Sequence, residues 1–398
     1  MKIAGAPISW GVCEVPNWGY QMTPERVLTE MKQIGLTATE FGPQGWLPIE
    51  AEARATEVKK YGLKPVGAFF LSVTHDPDFD PIPMVNKELD AFEAAGGDYL
   101  ILATDSGRDG YDDRPVLDEA GWKTLFTNLD QIREVCASRN VTACLHPHWG
   151  TMVQNRDEVI RVLENSSIGL CLDTGHLACG GTDVVELVRK YANRVDIVHA
   201  KDVHKEMADK LLPGEITWSE GIRAGIFAPI GDGDIDFAAI VRLLDEAGFD
   251  GYYVLEQDIM IDEEPPADDG PIINAKKSYE ALASLGRGAL HAAEPSWITM
   301  VARPPRWTGH HAVPLISTLA VDTPAPSLTG TMCPPSAKDI QGGHPCRRNT
   351  QRLEGDLDAM VIRNLEYFLP SVLHDGVDGM GDARPLASVF DVDGNDGV

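Results

Sequence analysis

Thr142-Ala-Cys-Leu-His146-Pro-His148, Ile168-Gly-Leu-Cys-Leu-Asp173-Thr-Gly-His176 and Val195-Asp-Ile-Val-His199-Ala-Lys201-Asp202 are three short apolar runs. Each ends in side chains that can bind a metal or move a proton. Two segments of helical pattern, residues 156–164 and 184–194, separate them, and a later run, Gly251-Tyr-Tyr-Val-Leu-Glu256, ends in the same way. Buried strands that alternate with helices and carry polar residues only at their C-terminal ends describe the mouth of a parallel β/α barrel. His146, Asp173, His199 and Glu256 stand at four such ends, a mixed nitrogen and oxygen set suited to a divalent metal with open positions. Charged groups there must be paired or ligated, because burying them bare costs several kcal/mol.

The same alternation extends to both sides of this stretch. A first strand over residues 3–9 is followed by a helix capped by Thr23, with Pro24 in its first turn and Gly35 as its stop. Strands are expected at 38–41, 65–73 and 99–103, with helices at 49–61, 84–95 and 119–138 between and after them. Beyond Asp202, residues 203–234 read as a long irregular loop, the kind that usually serves function. A helix at 237–247, the strand ending at Glu256 and a last helix at 275–285 complete eight strand-helix units. A closed eight-fold barrel over residues 1–287 is the expected fold, with a doubly wound open sheet as the alternative. Residues 288–398 change character, with Pro304-Pro305, Pro334-Pro335 and no sustained apolar period. They read as a flexible C-terminal extension of unassigned role, with one short helix at 353–369.

A formal net charge of −27 argues against nucleic acid and anionic membrane surfaces as partners. No segment approaches the roughly 20 apolar residues that cross a bilayer. The N-terminal residues lack the apolar region of a secretory signal, and seven cysteines form no Cys-x-x-Cys pair. A reducing cytoplasm is the expected location. Homo-oligomerisation stays open.

The donor set would accept Mn²⁺, Co²⁺, Fe²⁺ or Zn²⁺. His148 and His176 are expected beside the metal, as substrate contacts or as partners of its ligands. Glu40, Asp105 and Lys201 also end strands, either as acid, base or substrate clamp or as a ring of salt bridges. Trp10, Trp46 and Trp149 follow strand ends and either wall a sugar-sized pocket or pack the rim. Gly231-Asp-Gly-Asp234 is too short for a Ca²⁺ loop. Cys144 and Cys171, inside apolar strands, read as small hydrophobes. Cys333, His344 and Cys346 are a weak zinc pattern, and no glycine-rich phosphate loop follows a strand.

These residues resemble the xylose-isomerase-like superfamily, a group of (β/α)8 TIM barrels, and within it the inosose dehydratases. The resemblance rests on Ala6-Pro-Ile-Ser-Trp10, Thr39-Glu40-Phe-Gly42, His146-Pro-His-Trp-Gly-Thr151, Asp173-Thr-Gly-His176 and His199-Ala-Lys-Asp202. Phe227-Ala-Pro-Ile-Gly-Asp-Gly-Asp-Ile-Asp-Phe237 and Glu256-Gln-Asp258 complete it. It implies a lyase that removes water from a keto-inositol, with Mn²⁺ or Co²⁺ foremost and Zn²⁺, Fe²⁺ or Mg²⁺ permitted. His146, Asp173, His199 and Glu256 would hold the ion. His176 and His148 would move protons, while Lys201 or Glu40 holds substrate hydroxyls. Family isomerases and epimerases usually carry glutamate where this chain has His146, which argues against a two-carboxylate epimerase. A metal-dependent sugar or keto-inositol isomerase or epimerase is the alternative, and a non-catalytic binding barrel a third reading.

Overall fold

The computed structural model describes residues 1–108 and 110–292, with side chains described through residue 286. Its first half runs β1 (Lys2–Gly5), α1 (Pro24–Ile34), β2 (Ala38–Thr39), α2 (Ala51–Lys60), β3 (Lys64–Pro65), β4 (Gly67–Val73), α3 (Ile82–Ala95), β5 (Tyr99–Asp105) and α4 (Glu119–Ser138). Then come β6 (Thr142–Leu145), α5 (Arg156–Asn165), β7 (Gly169–Asp173), α6 (Thr174–Cys179), α7 (Val184–Tyr191) and β8 (Val195–Ala200). The chain continues through β9 (Asp202–Val203), α8 (Lys205–Ala208), α9 (Trp218–Arg223), β10 (Phe227–Ala228), α10 (Phe237–Glu246), β11 (Tyr252–Leu255) and α11 (Pro271–Ala292).

The main sheet is wholly parallel, in the order β3-β2-β1-β11-β8-β7-β6-β5-β4. Its two outer members are halves of one strand interrupted at Val66. The Val66 N–H donates to Thr39 O, and its carbonyl accepts from Tyr99 N–H, so the ring closes through this residue. Eight strand positions therefore surround one axis, as the alternation of elements predicts. Outside them α2 touches α3, α3 touches α4, α7 touches α10, and α11 touches both α10 and α1.

Local chemistry sets the ends of these elements. Thr23 Oγ1 accepts from the Arg26 N–H at the start of α1, and Gly35 closes that helix in the left-handed region at φ 103°. Asn155 and Glu158 form a reciprocal capping box on α5. The first strand stops at Gly5 rather than Ser9. Pro7 has no N–H for the ladder, and residues Pro7–Trp10 turn into a 3-10 helix. The expected loop at 203–234 is instead a small ordered cap. It holds α8, α9 and an antiparallel pair in which Val203 faces Phe227. The last helix reaches Ala292, past the expected domain boundary. The proposed extension beyond residue 292, its helix at 353–369 and the Cys333/His344/Cys346 pattern lie outside the described residues.

Three apolar layers follow. Ala4, Ala6, Ala38, Val66, Ile101, Cys144, Cys171, Ile197 and Val254 fill the barrel interior with mostly small side chains. Larger residues from the strand exteriors and the helices form the surrounding core. A third cluster, including Trp18, Trp149, Trp218, Ile222 and Phe227, holds the cap together. No helix among the described residues is long and apolar enough to cross a membrane.

Candidate metal centre

Strand alternation builds the site. Ala38, Cys144, Cys171, Ile197 and Val254 belong to the inner layer. Two residues further along the same strands, on the same face, come Glu40, His146, Asp173, His199 and Glu256. One more step brings Lys201 after His199 and Asp258 after Glu256.

His146, Asp173, His199 and Glu256 each offer one donor atom, and the four atoms lie within 4.8 Å of one another. His146 Nε2 is 3.2 Å from Asp173 Oδ2, and His199 Nδ1 is 2.8 Å from Glu256 Oε2 and 3.7 Å from Asp173 Oδ2. His199 Nδ1 and Glu256 Oε2 are both buried, yet neither makes a hydrogen bond. A ring nitrogen without a hydrogen bond, facing a carboxylate oxygen that otherwise only the Lys201 ammonium approaches, at 3.2 Å, in a set of imidazole and carboxylate donors, fits a divalent cation between them.

The backbone around Asp173 fixes this arrangement. Asp173 Oδ1 accepts from the His176 N–H at 2.7 Å, capping α6 and leaving Oδ2 for the cluster. Thr174 Oγ1 donates to Lys201 O at 2.7 Å and accepts from Lys201 N–H at 3.0 Å, tying the end of β7 to the end of β8. A Cβ on Gly175 would meet Lys201 Cγ at 2.6 Å, so only glycine lets the lysine pass.

Glu40 and Lys201, expected to hold substrate hydroxyls, both have protein partners. Glu40 Oε1 is 2.8 Å from His199 Nε2, on the side of the ring away from Glu256. Such a carboxylate fixes the tautomer that leaves the Nδ1 lone pair facing the cluster. Lys201, 1% exposed, is held by Asp258 at 2.8 Å, Glu256 at 3.2 Å and Asp173 at 3.4 Å. Burial alone would lower its pKa, but the Asp173, Asp258 and Glu256 carboxylates outweigh it and hold the ammonium charged.

His148 and His176 lie 4.0 Å apart between centroids with their planes tilted by 35°, with Trp218 stacked on His176 at 5.0 Å and Trp149 on Trp218 at 5.7 Å. Their tautomers differ. His148 Nδ1 is 2.7 Å from Trp149 O and so carries a proton, leaving a lone pair on Nε2. His176 Nδ1 accepts from the Trp149 N–H at 3.2 Å, so its proton sits on Nε2, 3.8 Å from Asp258 Oδ2. Burial, then the neighbouring His146 and Lys201, push His148 down to about 3. Burial, then His148 and Lys201, hold His176 well below the usual histidine value. His148 is half-buried, whereas His176 is 1% exposed.

The remaining candidates separate. Asp105 accepts from Gly107 N–H in its own turn. Trp10 is fully buried and donates to Glu30, and Trp46 donates to Met22 O, so both are rim and core packing rather than pocket wall. Asp202 points away from Lys201 and accepts from the N–H groups of Val203, Gly231, Gly233 and Ile235. The Gly231-Asp-Gly-Asp run is therefore a loop wrapped round a carboxylate, and a Cβ on Gly233 would meet Asp202 Oδ1 at 2.3 Å. Sequence reading missed Asp258 and Trp218 as site residues. Period-two continuation beyond Glu256 signals the first; nothing local signals the second.

Comparisons with known proteins identify the family and agree with the fold. Residues 28–282 match the model of the xylose isomerase-like TIM barrel family. The inosose dehydratase of Clostridium perfringens is 28% identical over 299 residues, 72% of this chain and 98% of that protein. The rhizopine catabolism protein MocC of Rhizobium meliloti is 30% identical over 298 residues, 73% of this chain and 90% of its own. Among solved structures, that of IOLI protein with a binding zinc atom has a TM-score of 0.54 at 14% identity, covering 72% of this chain and 98% of that one. That likeness is one of fold. By its family match, its ring of strands and the cluster at its mouth, the chain belongs to the xylose isomerase-like TIM barrel family.

Proposed function

We infer that the protein is a hydro-lyase that removes water from 2-keto-myo-inositol (scyllo-inosose), giving a trihydroxycyclohexane-dione, within myo-inositol catabolism. His146, Asp173, His199 and Glu256 hold a divalent ion, with Mn²⁺ or Co²⁺ foremost. The observation that carries the reading is the unbonded pair His199 Nδ1 and Glu256 Oε2, 2.8 Å apart inside a four-residue donor set. The substrate class is supported by the relatives that bear the name inosose dehydratase.

Dehydration of a β-hydroxy ketone requires loss of the proton α to the carbonyl and protonation of the departing hydroxyl. A bound divalent ion supplies Lewis-acid stabilisation to a carbonyl oxygen, worth several kcal/mol. The chain's own residues supply the rest. His148 is half-buried and carries its lone pair on Nε2, which places it to take the proton, although burial and the neighbouring His146 and Lys201 make it a weaker base than a free histidine. His176 Nε2–H is the complementary donor, and it faces Asp258. Lys201 and Asp258 present a fixed cation and acceptor to substrate hydroxyls. Trp149 and Trp218 exclude water behind the histidine pair.

Isomerisation or epimerisation of the same ketone would share the first proton transfer, so the deciding experiment follows the product. Metal-loaded protein is incubated with scyllo-inosose in D₂O and monitored by NMR. The expected outcome is the dione, which has two hydroxyls fewer, one lost as water and one turned into the second carbonyl when the enol tautomerises. A deuterated ketone with its hydroxyl count intact would establish an epimerase or isomerase. No change in the substrate would overturn both readings.

A further inference from the structure

Cys171 belongs to the inner layer of the barrel beside Cys144, two residues before Asp173 on β7. It was expected to be a small hydrophobe, but its sulfur meets the two histidines of the site. Single donor atoms of His146, Cys171 and His199 all lie within 4.8 Å of one another. The same two histidines form the oxygen-rich set with Asp173 and Glu256. Both sets thus share their two histidines and differ in what completes them. Two carboxylates stand toward the mouth, and one sulfur stands a strand step deeper, about 7 Å along the backbone. All three members of the deeper set are buried, at 0% for Cys171, 1% for His199 and 2% for His146. His146 Nδ1 is buried without a hydrogen-bond partner, so that ring has a nitrogen to spare beyond the Nε2 that faces Asp173.

Hard ions prefer carboxylates and soft ions prefer thiolates. We propose that the centre has two positions, and that a thiophilic ion such as Cd²⁺ or Zn²⁺ is drawn to His146, Cys171 and His199, away from Asp173 and Glu256. Binding there forms a metal–sulfur bond and releases the Cys171 thiol proton to solvent. Cys171 is then the residue that discriminates between metals, and Mn²⁺ stays in the upper, oxygen-rich position. This inference rests on the metal-centre reading above.

The test uses the full chain freed of metal and two probes, Cd²⁺ and Mn²⁺. One molar equivalent of Cd²⁺ should give a sulfur-to-cadmium charge-transfer band in the ultraviolet. The band should persist in Cys144→Ala and vanish in both Cys171→Ala and Cys171→Ser. Cd²⁺ affinity should fall at least about tenfold in the Cys171 variants, while Mn²⁺ affinity, read by electron paramagnetic resonance, changes by less than about twofold. Cys171→Ser keeps the size of the side chain, and a wild-type spectrum without the band overturns the proposal even should both variants misfold. Absence of the band in wild type, or its survival in Cys171→Ser, overturns the proposal. Mn²⁺ binding without a Cd²⁺–sulfur band refutes the deeper position alone. A Cys171-dependent band with no Mn²⁺ binding supports the deeper position and refutes the oxygen-rich centre.

Discussion

Replacing Glu40 separates two roles that its place at a strand end leaves open. Its carboxylate is 4% exposed and lies 2.8 Å from His199 Nε2, while the Nδ1 edge of that ring faces Glu256 at 2.8 Å. By accepting the Nε2 proton, Glu40 holds the ring in the orientation and tautomer that a metal requires. Outer partners of this kind contribute about 10- to 100-fold to metal affinity, or about 1.4–2.8 kcal/mol. Glu40→Gln keeps the volume and an oxygen acceptor but loses the charge, so a loss near tenfold is expected. Glu40→Ala leaves a buried N–H without an acceptor, which costs about 1–3 kcal/mol and places it near the upper end. Competition for Mn²⁺ against a fluorescent chelator measures both, and saturating metal should restore the turnover of Glu40→Gln. The pH dependence gives a second readout. Burial works against charging His199, but Cys171, Glu256 and Glu40 outweigh it and hold its pKa well above the usual value. Metal must therefore displace a proton, and affinity rises with pH. Removing the Glu40 charge lowers the His199 pKa, so the rise should level off at lower pH in Glu40→Gln. Wild-type metal affinity in both variants, with turnover lost at saturating metal, would show that Glu40 touches substrate and refute the argument.

Asp173→Asn should abolish stoichiometric metal binding while leaving cooperative unfolding intact, because asparagine caps a helix as well as aspartate does; full metal retention in dialysis would contradict it. His148→Gln should keep the metal but lower kcat by about 10²- to 10⁴-fold, and an unchanged kcat would remove it from proton transfer. Asp130 accepts from Ser166 Oγ, Ser167 N–H and Ser167 Oγ. Burial would raise its pKa, but these bonds outweigh it and depress the folded value. Its stabilisation is therefore present above the unfolded carboxylate pKa and lost as pH falls through the depressed folded one. Asp130→Asn should cost on the order of 1 kcal/mol at neutral pH, and the cost should shrink in chemical denaturation as pH falls through the depressed folded value.

Much of this was legible because the fold repeats two simple periods. Thr23, Pro24 and Gly35 delimit α1 by capping chemistry alone, and four apolar runs ending in His146, Asp173, His199 and Glu256 announce the strands that meet at the mouth. What stayed hidden depends on closure of the ring. Glu40 and His199 are 159 residues apart, and no local pattern pairs them. Lys201 and Asp202 look like one charged pair in the sequence. Strand alternation sends Lys201 inward to three carboxylates and Asp202 outward to the Gly231–Ile235 backbone. Trp218 reaches His176 from the cap, whose order comes from packing among Trp18, Trp149, Ile222 and Phe227 rather than from any periodicity. Trp10 misleads in the opposite sense. Pro7 ends the ladder early, so the indole turns back toward Glu30 on α1.

Charge balance draws these residues into a single argument. Glu40, Asp173, Glu256 and Asp258 bring four carboxylates into a small buried volume, and Lys201 is the ammonium among them. With neutral histidines this leaves an excess of negative charge in a region of low dielectric, which is costly. Without a metal the protein can reduce that excess only by taking up protons, and two groups are poised to do so. His199 is held well above the usual histidine value, and burial pushes the Asp258 carboxyl up to about 6. A divalent cation placed between His199 Nδ1 and Glu256 Oε2 supplies the missing charge and releases the His199 proton. The orphaned pair and the raised pKa values are thus two signs of one deficit. The barrel meets it with groups that alternate strands deliver to the same face, so the geometry that closes the fold also creates the demand for the ion.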